Sequence, residues 1–302
     1  MADEQPRRRR SPPRALLKTV RPHQWVKNVF VAAPLVFARH LTDTAYLVRT
    51  AIAVLAFCLL SGAVYAFNDV RDVKADREHP KKRLRPIAAG ELSERAALIA
   101  ASVLAVGSLA AMFALSPLAG VYATAYLAQN VAYSLKLKEI AFVDVGLIAS
   151  GFLLRVLGGA AAIDVPASEW VLLCTALIAI FFGLGKRAHE LAWASRSGKA
   201  HTTRAALAGY RIEAVRITMY VVGAATVGAY AMYTINQHTQ EMFHTRNLIY
   251  STPWVALGII RFLFLALWSP KDESPTEAML RDPYFLAILA GATATVLYII
   301  YG

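Results

Sequence analysis

The chain has 302 residues, of which 57% are hydrophobic and 17% are charged, and its net charge is +12. A soluble domain usually carries roughly a quarter charged residues, so the composition excludes an ordinary soluble enzyme. A basic excess suggests nucleic acid in a soluble chain, but cytoplasmic loops of membrane proteins collect Lys and Arg. We therefore expect this protein to interact with membrane lipid and not with nucleic acid.

The chain begins with a basic tail, residues 1–14, which contains four consecutive arginines at 7–10 followed by Ser11-Pro12-Pro13. No apolar core and small-residue cleavage site follow it, as a signal peptide would require. We expect this tail to be disordered, cytoplasmic and attracted to anionic headgroups. Residues 15–302 are expected to form one transmembrane catalytic domain.

Apolar segments near the ~20 residues that cross a bilayer occupy most of the remaining chain. In hydrocarbon they must be helices, because their backbone groups have no water to bond. The sequence thus predicts an all-α, polytopic membrane protein with nine transmembrane helices. They lie at about residues 24–39, 51–68, 96–115, 117–135, 141–161, 170–186, 214–234, 248–268 and 284–301.

The distribution of Lys and Arg between the loops predicts the orientation of these helices. Nearly all of the basic residues follow the second, fourth, sixth and eighth segments. The positive-inside rule then places the N-terminus inside and the C-terminus outside. We expect a plasma-membrane protein whose polar site faces the cytoplasm. The oligomeric state stays open, although an exposed bundle of this kind can form homo-oligomers.

The strongest chemical signal follows the second segment. Asp69, Asp72 and Asp76 recur at a helical spacing that predicts one shared face, with Asn68 at its edge. Carboxylates this close repel one another unless a cation neutralises them, and oxygen ligands of this type suit Mg²⁺. The alternative interpretation is a solvated helix end with alternating charges.

A basic segment, Lys81-Lys82-Arg83-Leu84-Arg85-Pro86, follows within a few residues of the carboxylates. Metal-binding carboxylates beside fixed cations can hold a diphosphate and stabilise it as a leaving group. We predict catalytic roles for Asp69, Asp72, Asp76, Lys82 and Arg85, and substrate binding for Arg83. Positive-inside bias alone is the alternative explanation of the basic run.

The pattern Asn68-Asp69-x-x-Asp72-x-x-x-Asp76, then Arg85-Pro86-x-x-x-Gly90, resembles the first aspartate-rich motif of the UbiA-type intramembrane prenyltransferase superfamily. The resemblance implies a nine-helix bundle with a cytoplasm-facing site. It also implies Mg²⁺ held by Asn68, Asp72 and Asp76, with Asp69 close by, and a substrate diphosphate bound to the metal.

The loop after the sixth segment departs from that family. Members carry a second aspartate-rich motif there, whereas residues 186–213 contain no Asp and only two carboxylates, Glu190 and Glu213. Because basic residues replace the acids, we predict that Lys186 and Arg187 bind a substrate phosphate. Glu190 is left open between a second metal ligand, a sugar contact and a partner of Arg187.

Further segments resemble one branch of the superfamily, which transfers a phosphoribosyl group to decaprenyl phosphate. They are residues 24–28, 132–138, 150–155 and 185–190, together with Asp144. The resemblance implies phosphoribosyl diphosphate as donor, decaprenyl phosphate as acceptor, and a product used for cell-wall arabinan. The alternative is an aromatic prenyltransferase with a polyprenyl diphosphate donor, which is expected to carry the second motif.

The lipid phosphate of such an acceptor needs a further cation. Arg155 lies deep in the fifth segment, where a cation usually faces the bundle interior. Asp144 is left open between a ribose contact and a partner of Lys136, and Tyr133 between a phosphate contact and an interfacial position. The remaining predicted substrate-binding residues are Lys27, Asn28, Tyr133, Lys136, Asp144 and Arg155.

Overall fold

The computed structural model describes residues 11–79, 81–137, 140–197, 207, 209–268 and 275–301. Every regular element in these ranges is helical, which confirms the all-α fold. The α-helices are α1 Pro12–Val20, α2 Ala33–Phe37, α3 Thr44–Arg71, α4 Val73–Glu78, α5 Glu94–Leu115, α6 Pro117–Leu135, α7 Val143–Ala162, α8 Glu169–Ser197, α9 Ile212–Ile235, α10 Gln237–Phe243, α11 Thr252–Leu263, α12 Pro275–Arg281 and α13 Pro283–Tyr301. Residues 1–10 of the predicted tail lie outside the described residues, whereas residues 12–14 begin α1, so the prediction of disorder is wrong there.

Within the described part of the chain, seven helical segments are long and apolar enough to cross a membrane. They are α3, α5, α7, α8, α9, α13 and the continuous segment Asn247–Trp268, which includes α11. Of the two other predicted segments, 117–135 forms one helix, α6. Nine crossings and the predicted orientation stay predictions.

The predicted helix at 24–39 is not a single α-helix. A 3₁₀ helix spans Pro22–Ala32, and the short helix α2 follows it with a proline in its first turn. Proline has no backbone N–H and clashes with the preceding turn, so a regular α-helix cannot run through Pro34. Apolar composition alone predicted the segment but not its helix type.

One compact unit comprises residues 1–134 and 154–166, and α3 packs along α5 within it. Small residues fill this contact, among them Ala63, Ala66 and Ala101. Such residues let helices approach closely in a membrane, where van der Waals packing rather than water exclusion drives association. At Gly159 a Cβ would lie 2.0 Å from the Val31 carbonyl oxygen, so only glycine fits there.

Arg49 connects three helices of this unit. Its guanidinium donates to the carbonyl of Leu115 at 2.7 Å and to that of Ala162 at 2.8 Å. These are the last residues of α5 and α7, whose final carbonyls have no partner within their own helices. A cation at a helix C-terminus also complements the helix dipole, so Arg49 has a structural role on the predicted outer side.

The other compact unit comprises residues 135–153 and 167–302. Its core is formed by α8, α9 and α11, and the rings of Phe181 and Phe262 lie 5.1 Å apart at its centre. A Cβ at Gly185 would lie 2.6 Å from the Phe262 ring. The missing side chain therefore lets this ring pack directly on α8.

Candidate active site

An acid–arginine cluster of Arg21, Asp69, Asp76 and Arg85 lies at the end of α3. Arg85 Nη1 is 3.1 Å from Asp69 Oδ1 and 2.6 Å from Asp76 Oδ2. Arg21 Nη2 is 2.5 Å from the same Asp69 oxygen. Both carboxylates belong to residues only 2% exposed. Two buried acids are thus neutralised by two guanidinium groups, as buried charges require.

A break in the helix separates the predicted aspartates. α3 ends at Arg71, α4 begins at Val73, and Asp72 between them has φ −89° and ψ 7°. The prediction of a single helix that carries all three aspartates is therefore wrong at Asp72. The Asp76 amide still donates to the Asp72 carbonyl at 2.8 Å, so the chain keeps a helix-like turn across the break. Arg85 then brings Asp69 and Asp76 together.

The donor atoms of this segment are of the types that bind an oxygen-ligated cation. Asp69 and Asp76 already share one positive group, Arg85 Nη1. The half-buried Asn68 and Asp72 offer amide and carboxylate oxygens in the same short stretch of chain, and these are the ligand types that Mg²⁺ prefers. Among the described residues, however, no three His, Cys, Asp or Glu converge closely enough to hold a metal ion.

The loop that carries Arg85 is fixed by a turn. Gly90 has φ +72°, a backbone conformation that side chains other than glycine rarely adopt. The amide of Glu91 returns to the carbonyl of Pro86 at 2.8 Å, and Ile87 is buried beneath the turn. Of the predicted basic residues, Lys82 and Arg83 are exposed, whereas Arg85 is half-buried and bonds the buried carboxylates.

A second polar cluster, Asn28, Tyr126 and Arg155, lies buried among the helices of the same unit. Arg155 Nε donates to Asn28 Oδ1 at 2.7 Å, and Nη2 donates to the Tyr126 hydroxyl at 2.8 Å. Arg155 is 6% exposed. The structure thus joins two predicted residues, Asn28 and Arg155, and the Asn28 and Tyr126 oxygens that accept from the guanidinium are uncharged.

A third cluster, Asp144, Arg187, Glu190 and Tyr210, belongs to the other unit. The Arg187 side chain is 0% exposed, its Nε lies 2.9 Å from Asp144 Oδ2, and its Nη1 contacts Glu190. Tyr210 donates to Asp144 Oδ1 at 2.7 Å and accepts from the Phe142 amide at 2.7 Å. Asp144 therefore pairs with Arg187 rather than Lys136, and Glu190 is a partner of Arg187.

Two buried donors of this third cluster, Arg187 Nε and Nη2, make no hydrogen bond among the described residues, although Nε lies within ion-pair distance of Asp144 Oδ2. A buried unpaired donor is costly, so such a group usually marks a position that an ion, a water or a ligand completes.

The environment of Tyr210 in the same cluster favours its neutral form. Burial raises the pKa of Tyr210, and its hydrogen bond to Asp144 raises that pKa further. Tyr210 therefore stays a protonated donor at neutral pH.

The other predicted site residues differ in exposure. Lys27, Tyr133 and Lys186 are half-buried, whereas Lys136 is exposed. Lys138 and Lys199 of the neighbouring basic loops lie outside the described residues.

Three residues of the clusters were not predicted, namely Arg21, Tyr126 and Tyr210. The sequence offers a local signal only for Arg21, which lies three positions before the segment at 24–28.

The fold and the clusters define an integral membrane protein with buried acid–arginine sites in a helical bundle. The sequence profile of the UbiA prenyltransferase family matches residues 29–289. The chain belongs to that family.

Its similarity to known members extends over nearly the whole chain. A protein of Mycobacterium tuberculosis named decaprenyl-phosphate phosphoribosyltransferase is 36% identical over 93% of this chain and 92% of its own length. A protein of the same name from Mycolicibacterium smegmatis is 35% identical over 88% of this chain and 86% of its own.

A solved structure shares the fold. The UbiA homolog from Archaeoglobus fulgidus bound to GPP and Mg²⁺ superposes with a TM-score of 0.70, covering 95% of this chain and 100% of the other. The two sequences are 18% identical, so this likeness concerns the fold alone.

Proposed function

We propose that this protein transfers a 5-phosphoribosyl group from phosphoribosyl diphosphate to decaprenyl phosphate, which yields decaprenylphosphoryl-5-phosphoribose and diphosphate. The observation that carries the proposal is the 36% identity, over 93% of the chain, to a relative named for this activity. The buried arginines support it, because both substrates are anions with phosphate groups that guanidinium binds well.

The acid–arginine cluster is proposed to bind the donor diphosphate. Asn68, Asp72 and Asp76 would hold Mg²⁺, and the bound metal would neutralise the charge that develops on the departing diphosphate. Arg85 and Lys82 add fixed positive charge for the same group. Arg83 is proposed to contact the diphosphate from the same exposed loop.

The reaction replaces one bond at the anomeric carbon of the ribose. The bond from this carbon to the diphosphate oxygen breaks, the carbon gains oxocarbenium character, and an oxygen of the lipid phosphate bonds to it from the opposite face with inversion. A phosphate monoester is already anionic at pH 7, so no strong general base is needed. The cationic side chains therefore serve mainly to bind and orient anions.

The other clusters are proposed to bind the remaining phosphates. Arg155, fixed by Asn28, is assigned to the lipid phosphate, with Lys27, Lys136 and Tyr133 as further contacts. Lys186 and Arg187 are assigned to the 5-phosphate of the donor. Asp144 and Glu190 hold two sides of the Arg187 guanidinium, which leaves the unsatisfied Nη2 as the donor for that phosphate.

The membrane topology is proposed to be that of nine crossings with the N-terminus inside and the C-terminus outside. The continuous helix α6 and the apolar segment at 24–39 would supply the eighth and ninth crossings. The positive-inside distribution of Lys and Arg supports this orientation, a cytoplasm-facing site and a plasma-membrane location. Self-association through exposed apolar faces is compatible with this topology.

The transfer is tested with purified protein in detergent, Mg²⁺, labelled phosphoribosyl diphosphate and decaprenyl phosphate, following label into the organic phase. Asp72→Asn is expected to abolish the transfer. The matched control Asp164→Asn, on an exposed residue outside the clusters, is expected to retain it. Parent protein that labels no lipid, but uses a polyprenyl diphosphate with an aromatic acid, would overturn the proposal.

A further inference from the structure

Arg21 reaches the acid–arginine cluster from a part of the chain that the aspartate motif does not include. Its Nη2 lies 2.5 Å from Asp69 Oδ1, across 48 residues of sequence. The centre of its guanidinium lies 4.9 Å from the centroid of the Tyr65 ring. The group is thus fixed from two sides, by a carboxylate and by an aromatic face. The side chain is 23% exposed, so part of it stays accessible.

The backbone at Arg21 has an unfavourable conformation. Its φ of 53° and ψ of 65° lie in the left-handed region, which residues other than glycine rarely adopt. Such a conformation is costly and persists only where the surrounding structure determines it. At this position the chain turns from α1 into the 3₁₀ helix that begins at Pro22. The strained turn directs the Arg21 side chain to α3.

The helix α1 anchors this turn on the segments that carry the cluster. Ala15 is fully buried against Val73, the first residue of α4, and Ile87 of the Arg85 loop. Lys18 donates to the carbonyl of Leu84 at 3.2 Å. At Gly62 of α3 a Cβ would lie 2.9 Å from the Val20 Cβ. α1 therefore contacts α3, α4 and the Arg85 loop.

We propose, on the basis of the function above, that Arg21 is a positioning residue for the donor diphosphate and acts through Asp69. Asp69 accepts hydrogen bonds from both Arg21 and Arg85 on one oxygen. Arg21 fixes this carboxylate, and the carboxylate in turn orients the Arg85 guanidinium, which contacts the diphosphate. Lys cannot fully replace Arg21, because one ammonium does not combine the planar bonding and ring stacking of a guanidinium.

The test is a double-mutant cycle on the full-length protein in detergent, with the variants Arg21→Gln, Asp69→Asn and the pair. The binding of inorganic diphosphate with Mg²⁺ is measured by calorimetry, and donor and acceptor KM by the transfer assay. Arg39→Gln is the matched control, because Arg39 is an exposed arginine with a similar left-handed backbone, φ 60°. Arg21→Lys is the second variant, which keeps the charge if Arg21→Gln does not fold.

We expect Arg21→Gln and Asp69→Asn each to weaken diphosphate binding about tenfold, and the pair to be no weaker than the worse single variant. Donor KM should rise while acceptor KM stays unchanged, and Arg21→Lys should recover part of the binding. Arg39→Gln should bind as the parent does.

The proposal would be overturned if the pair weakened diphosphate binding by the product of the two single effects. It would also be overturned if Arg21→Gln bound diphosphate as tightly as the parent, or if the parent did not bind it. Diphosphate binding that depends on Arg21, without phosphoribosyl transfer, would overturn the proposed function alone.

Discussion

Arg187 and Asp144 form a fully buried ion pair in which Nε lies 2.9 Å from Oδ2 and both side chains are 0% exposed. Burying two charges is costly, and the cost is recovered only if both partners stay in place. The pair joins α8 to the first turn of α7, within one compact unit. It therefore has to be intact before Arg187 can present its remaining donor to a phosphate.

Removal of the Asp144 carboxylate should destabilise the protein strongly. Asp144→Ala leaves the buried Arg187 charge without its fully buried partner, a change that costs about 3–5 kcal/mol. Thermal unfolding in detergent should show a large fall in Tm. The control is Glu190→Gln, because the Glu190 side chain is 28% exposed and its loss is partly compensated by water. Equal falls in Tm for the two variants would contradict the expectation that Asp144 stabilises the protein more than Glu190 does.

Removal of the Tyr210 hydroxyl should loosen the contact between two loops. Tyr210→Phe removes the bonds to Asp144 and to the Phe142 amide, which costs about 1–3 kcal/mol because the buried Asp144 and a partly buried amide each lose a partner. We expect a lower Tm and a weaker affinity for the donor. Tyr220→Phe, on an exposed tyrosine, should leave both unchanged. An unchanged Tm for Tyr210→Phe would show that the hydroxyl does not contribute to the stability of the folded protein.

The same tyrosine gives a prediction on pH. Burial and the bond to Asp144 raise the pKa of Tyr210. Because the pKa of Tyr210 is higher in the folded than in the unfolded protein, its contribution to stability is fully present below the ordinary pKa of tyrosine. This contribution is lost only as pH rises through the folded-state pKa. The difference in Tm between parent and Tyr210→Phe should therefore be constant from pH 6 to pH 9. A difference that falls within this range would contradict the assignment of Tyr210 as a protonated donor.

Arg155 should affect the lipid acceptor more than the donor. Arg155→Lys keeps the charge but cannot donate to Asn28 and Tyr126 with the geometry of the guanidinium. We expect the acceptor kcat/KM to fall about tenfold or more, since each tenfold step corresponds to about 1.4 kcal/mol. Tyr126→Phe, which removes one of the two bonds, should have a smaller effect. A selective rise in donor KM would place Arg155 at the other substrate.

Gly90 tests whether the turn positions Arg85. A Cβ at Gly90 meets no atom within 4 Å, so Gly90→Ala is strained only by the φ of +72°, at about 1 kcal/mol. Gly107, in α5, has equally open surroundings and an ordinary helical backbone. Gly90→Ala should therefore lower Tm and weaken diphosphate binding, whereas Gly107→Ala should do neither. Equal behaviour of the two variants would contradict a role for the turn.

The sequence predicted the helical class and the proximity of Asp69, Asp76 and Arg85 because both depend on local patterns. Apolar segment length indicates membrane helices, and the spacing of the aspartates places Asp69 near Asp76. The break at Asp72 was not predicted, since no proline or glycine marks it. Likewise, the 3₁₀ helix at Pro22–Ala32 has the same apolar composition as an α-helix would have.

The partners of the buried charges could not be predicted from spacing. Arg21 bonds a residue 48 positions away, and Tyr210 bonds Asp144 across 66. Such contacts depend on how the helices pack, and local periodicity does not specify them. The prediction for Asp144 left a ribose contact and Lys136 open, whereas packing placed Arg187 against it.

The choice of donor tests the proposed phosphoribosyl transfer most directly. Diphosphate release is measured with Mg²⁺ in two parallel reactions, one with phosphoribosyl diphosphate and decaprenyl phosphate, the other with a polyprenyl diphosphate and an aromatic acid. We expect release that requires both substrates of the first reaction and is lost in Asp76→Asn. Release only in the second reaction would contradict phosphoribosyl transfer and identify an aromatic prenyltransferase.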